Sequence, residues 1–76
     1  MTLTHAKANT VYNVLAVAGA GNTRRRLLDM GFTPACKLFV AATAPTGGTV
    51  LVRLRGFSVA LREDAASLIE LTAERQ

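Results

Sequence analysis

The strongest chemical bias in this 76-residue chain lies at Arg24, Arg25 and Arg26, three consecutive cations in a sequence of net charge +4. A guanidinium does not act as a base near neutral pH. Its chemistry is recognition, with a planar fork of donors that matches carboxylates and phosphates. Leu27, Leu28 and Met30 follow directly, so any helix formed here carries cationic and apolar faces side by side. Farther on, Arg53 and Arg55 alternate with Val52 and Leu54, which places both cations on one side of a strand. The candidate partner-binding residues are therefore Arg24, Arg25, Arg26, Leu28, Met30, Arg53 and Arg55. The chemistry they offer is docking against an acidic surface.

Catalytic chemistry is short of parts. His5 is the only histidine and falls in a polar lead-in. Cys36 is the only cysteine, has no histidine to activate it, and reads as a small, partly buried residue ahead of a strand. One cysteine allows neither an intrachain disulfide nor a cysteine-pair zinc site, and it favours a reducing compartment. Glu63 and Asp64 are adjacent and follow Arg62, the pattern of helix-start charges rather than of an acid/base pair. His5, Asp29, Cys36, Glu63 and Asp64 lack metal-ligand spacing. The expectation is no enzyme activity, no cofactor and no metal site.

Two weaker patterns lead elsewhere. Gly19-Ala20-Gly21 opens a helix after a strand, as a dinucleotide-binding turn does, but Arg24 stands at the third glycine position. No acidic residue lies about 20 residues on to hold a ribose. Lys7 and the run 11–18 loosely imitate a signal peptide, but Asn13 interrupts the run. No stretch reaches the roughly 18 apolar residues of a membrane span.

Half the residues are hydrophobic and 18% are charged, the balance of a globular chain, here a single domain 1–76 with its core over about 11–71 and flexible ends. Residues 1–9 read as a frayed lead-in. A strand is predicted over 11–17, with apolar side chains on both faces and so covered on both sides. A helix follows over 23–30, capped by Asn22 or Thr23, ended by Gly31 and blocked by Pro34. Strands over 38–44 and 49–55 are joined through Pro45-Thr46-Gly47-Gly48. A fourth strand over 57–62 points Phe57, Val59 and Leu61 inward, a helical turn occupies 63–67, and 68–71 forms a last strand before a polar tail 72–76. The architecture implied is mainly β: a small SH3-like barrel of about five strands, with one short inserted helix and a helical turn before the last strand, curled so that no edge stays exposed. Arg24 to Arg26, Arg53, Arg55 and Arg62 could form a phosphate-binding stripe. Aromatic residues make up only 5% of the chain, and Phe57 reads as core, so stacking platforms are lacking and no nucleic-acid partner is expected.

The order of these segments resembles the FeoA family, the small cytosolic ferrous iron transport protein A. Its pattern runs through "RRRLLDMGFTP", matched at Arg26, Leu27, Met30, Gly31 and Pro34, and then through a strand ending in Ala44-Pro45 with Gly47 in the hairpin. It continues at Arg55, Gly56, Phe57, Ala60, Leu61, Arg62, Glu63 and Ala65. The resemblance implies an SH3-like barrel and a non-enzymatic cytoplasmic accessory protein that binds the cytosolic part of FeoB, the membrane ferrous iron transporter. It touches the membrane only through that partner, and homo-oligomerisation is left open. The alternative is a regulatory module of the metal-dependent repressor type, or a nucleic-acid-binding small barrel. Three departures stand out. Ala35-Cys36 follows Thr33-Pro34 where the family often has glycine, which is expected to tighten or shift that turn. Lys7-Ala8-Asn9-Thr10 replaces a Pro-Gly lead-in, and Thr46-Gly47 replaces Leu-Gly at the hairpin tip.

Overall fold

In the computed structural model, which describes residues 1–73, the chain forms one antiparallel sheet of five strands. These are β1 (Thr10–Val17), β2 (Lys37–Thr43), β3 (Thr49–Leu54), β4 (Phe57–Arg62) and β5 (Ile69–Ala73), in spatial order β4-β3-β2-β1-β5. Helix α1 (Asn22–Met30) lies between β1 and β2, and the single turn α2 (Glu63–Ala66) links β4 to β5. The element order matches the sequence reading, with boundaries moved by one or two residues.

β1 departs from the expected pattern. Tyr12 and Val14 point inward, Leu15 and Ala16 are exposed, and Val17 points inward again. A bulge explains the change of phase: Val14 pairs with Leu71 and Ala16 with Glu70, so Leu15 is an extra residue. An inserted residue moves every later side chain to the opposite face. The apolar residues on both faces of 11–17 therefore reflect one buried face that changes parity, not a strand covered twice. A second bulge lies in β2, where Val40 faces Val52 and Ala42 faces Leu51. Both bulges bend the sheet around one core that includes Leu38, Val40, Val52, Ile69 and Leu71.

Residues 1–9 are not a frayed lead-in. Leu3–His5 form a 3-10 turn with Leu3 fully buried. Thr2 bridges Glu70, and the Leu71 N–H donates to the Met1 carbonyl at 2.6 Å. The free edge of β5 is thus covered by the amino end. Asn9 takes a left-handed φ of 60° and turns the chain into β1, a role that asparagine fills with little strain. The Lys7 N–H donates to the Tyr12 hydroxyl at 3.0 Å.

Helix α1 ends as predicted. Gly31, at φ 110°, donates its N–H to Leu28, and Phe32 donates to Leu27, the paired bonds of a left-handed helix stop with Phe32 and Leu27 packed beneath it. Its start differs from the expectation. Gly21 precedes the helix at φ 86°, neither Asn22 nor Thr23 caps it, and no acidic residue occupies the first turn. Arg24 supplies part of the missing anchorage by donating its Nε–H to the Val17 carbonyl at 3.0 Å. Phe57 is the other correction. Although it lies in register with Leu54 at the end of β4, it is 43% exposed instead of buried.

Two substitution pairs test this reading. Ala35 holds φ 71° in the turn where the Cys36 N–H donates to the Thr33 carbonyl. An L-residue there costs roughly 1 kcal/mol that glycine avoids. Ala35→Gly should raise stability by about that amount in urea denaturation, whereas Gly31→Ala should lower it by about 1 to 3 kcal/mol. Arg24→Ala should be less stable than Arg25→Ala by about 1 kcal/mol. Both changes relieve the same helix-dipole conflict, and only the first loses a hydrogen bond.

Candidate docking surface

The predicted site residues separate into two places, and one of them serves the fold. Arg24 is tied to β1 through Val17. Arg25 is exposed on α1. Arg26 and Met30 line a cleft of about 280 Å³ between α1 and β4. Thr23 and Leu27 share its helical wall, Val59, Ala60, Leu61 and Arg62 form the opposite wall, and Asp64 and Ala65 close one end. Leu27 is buried, while Leu28 and Met30 are half-buried against the core, so they seat the helix and leave Arg25 and Arg26 outward.

Arg53 and Arg55 border a separate, shallower hollow with Lys37, Phe39 and Val11. Arg55 occupies a left-handed φ of 52° beside Gly56 at φ 85°. Two consecutive positive φ values in a two-residue connection are the pattern of a tight hairpin turn that follows sheet twist. The Arg55 side chain folds back toward α1, its Cδ and Nε each 3.1 Å from where a Cβ on Gly31 would lie. A cation there sits beside the carbonyl end of the helix, where the partial charge is negative. The single arginine stripe weighed from the sequence is therefore divided: Arg26 and Arg62 share one cleft, and Arg53 and Arg55 share another hollow.

Sequence reasoning missed the β4 wall. The alternation of Phe57, Val59 and Leu61 reads as a core face, and Leu61 is buried, yet Val59 is half-buried and open to the cleft. The available signal was the strand's plain composition. Before Arg62 it has no charge and no proline, the residues that usually guard an exposed edge.

Among the described residues no three histidine, cysteine or acidic side chains come together to hold a metal. His5 and Glu63 border one hollow beside the β2–β3 connection, and the His5 Nδ1 lies 3.2 Å from the Thr2 hydroxyl. Cys36 is half-buried against the core, its Sγ 3.3 Å from the Lys37 carbonyl. No described helix is long and apolar enough to cross a membrane.

Comparison with known proteins gives this geometry a context. No curated protein sequence matches the chain. FeoA protein from Chlorobium tepidum is 33% identical, with a TM-score of 0.85, over 96% of this chain and 70% of that one. The zinc complex of FeoA from Stenotrophomonas maltophilia is 26% identical, with a TM-score of 0.85, over 95% of this chain and 89% of that one. That protein is described as a prokaryotic SH3-domain protein and a candidate activating factor of ferrous iron transport. A manganese-dependent transcriptional repressor shares the fold alone, at 21% identity and a TM-score of 0.87, over 96% of this chain and 36% of that one. A sequence model of the FeoA domain matches residues 1–73. With its SH3-like sheet and the motif order that runs from Arg26 through Arg55-Gly56-Phe57 to Ala65, the chain belongs to the FeoA family.

Proposed function

We propose that this protein is a non-enzymatic, cytoplasmic accessory factor of ferrous iron uptake that docks on the cytosolic part of the FeoB transporter. The observation that carries this reading is the exposed pair Arg25 and Arg26 on a helix that has no acidic residue in its first turn. The cationic side chains and the positive helix end add rather than cancel, which favours an acidic counter-surface. Half-buried Met30 and Val59 in the adjoining cleft supply apolar contact beside the cationic pair.

The repressor-type reading rests on one observation, the hollow with Lys37, Arg53 and Arg55 beside half-buried Phe39. A duplex or single-stranded oligonucleotide should show no binding with a steep salt slope if the accessory reading holds.

The main test is affinity for the transporter's purified cytosolic domain. Changing Arg25 and Arg26 together to Glu should weaken binding about tenfold or more, since two reversals at roughly 1 kcal/mol each exceed that factor. The thermal transition should stay in place, because neither side chain makes a hydrogen bond or an ion pair with a described residue. Equal affinity for the parent and the double variant would remove this face from the interaction.

A further inference from the structure

The two edges of the sheet are finished differently. β5 is covered by Met1 and Thr2, whereas no described backbone group bonds to the outer side of β4. Hydrogen-bond alternation identifies which groups that leaves open. The two-residue turn makes Leu54 and Phe57 a bonded pair, so Val52–Val59 and Val50–Leu61 are bonded pairs as well. The Glu63 N–H, donating to the Gly48 carbonyl at 2.9 Å, continues the same phase. Ser58 and Ala60 therefore turn both backbone groups outward, and Arg62 turns its N–H outward.

This edge is regular along its six residues, with no bulge against β3. It also forms one wall of the 280 Å³ cleft whose other wall is α1. An added strand would have backbone partners along β4 and, on its inner side, an apolar slot between Met30 and Val59. Arg26 and Arg62 border that slot without forming an ion pair with any described residue. The one acid there, Asp64, already accepts the Ala65 N–H through Oδ1 at 2.9 Å.

We infer that β4 is a strand-addition site, and that it takes an extended peptide segment of alternating apolar and acidic residues from a partner protein. Backbone pairing supplies the register, the slot takes every second side chain, and the arginines select the acidic positions. Charge argues against a second copy of this chain as occupant. A symmetric β4–β4 pair would bring Arg26 and Arg62 of two molecules, each of net charge +4, toward one another. The inference rests on the accessory reading above, for it specifies how the same face would grip its partner.

The probe is a blocked heptapeptide of alternating valine and glutamate, titrated into the isotopically labelled full chain. The Ser58, Ala60 and Arg62 amides should shift and exchange about tenfold more slowly on binding. Affinity should fall about tenfold when lysine replaces glutamate, when alternate peptide amides are N-methylated, or when the protein carries Arg26→Glu. Ala60→Pro removes an outward N–H and no ladder bond, so it should abolish binding while the fold persists. Should that variant unfold, the N-methylated peptide still reads the same contact. Absent binding, unchanged β4 amides, equal binding of the N-methylated peptide, or a dimer that Ala60→Pro dissociates would each overturn the inference. Equal affinity of parent and Ala60→Pro for the transporter's cytosolic domain would overturn strand addition and leave the accessory reading standing. Capture of the peptide with no affinity for that domain would do the reverse.

Discussion

One extra residue governs the shape of this domain. At Leu15 the β1 ladder advances two residues against one on β5. The strand bends there, and its buried face passes from Tyr12 and Val14 to Val17. Without that insertion, Val17 would face solvent and Ala16 the core. The matching bulge at Ala41 in β2 bends the neighbouring strand. Since β1 and β2 are central in the order β4-β3-β2-β1-β5, bending both brings the outer strands round toward each other. Five short strands can then enclose apolar residues on a single side, which a flat sheet of this length could not do.

The curl also sets the place of α1. Leaving β1 at Val17, the chain has four residues, Ala18 to Gly21, before the helix begins. Arg24 fastens the helix back to Val17, and Leu27 enters the core. The helix therefore lies beside β4, the one edge that the amino end does not cover. Gly31 completes the arrangement, because its missing side chain gives Arg55 room to lie over the helix end. Fold and candidate site share these parts. The residues that hold α1 in position are neighbours of those that it displays, and a charge-changing substitution at Arg24 would confound the two roles where one at Arg25 would not.

Much of this was legible in the sequence, and the parts that were not share physical causes. Glycine, proline and alternating apolar residues marked four of the five strands closely, along with both helices. Leu3 escaped notice because one apolar residue in a polar stretch has no period, and its burial depends on a contact with β5 nearly seventy residues away, the separation of the Met1–Glu70 pair. The bulges escaped because an inserted residue looks the same as apolar residues on two faces. Ala35 and Arg55 take left-handed backbone despite their side chains, so type alone did not reveal their turns. At the site, composition identified the arginines but not their partners, and Arg24, Arg25 and Arg26 are equivalent until Val17 is placed beside the first. Phe57 alternates as a core residue should, but it lies at the end of β4, where the sheet no longer covers it.

A strand edge with no backbone partner among the described residues and no charge before its last residue is ordinarily a liability, since it invites pairing between copies. Here the balance of forces differs from that of a neutral domain. The charge of +4 is concentrated on one chain of only 76 residues, and two arginines stand beside the edge itself. Repulsion between copies acts at the place where they would meet, and it falls to attraction only when the incoming strand carries acid. The same cations that weaken self-association would thus be selective toward an acidic partner. A lysine in place of Val59 would have protected the edge as well, but by placing a charge in the slot. Setting the charges on α1 and at Arg62 keeps the slot between Met30 and Val59 apolar while its rim remains cationic.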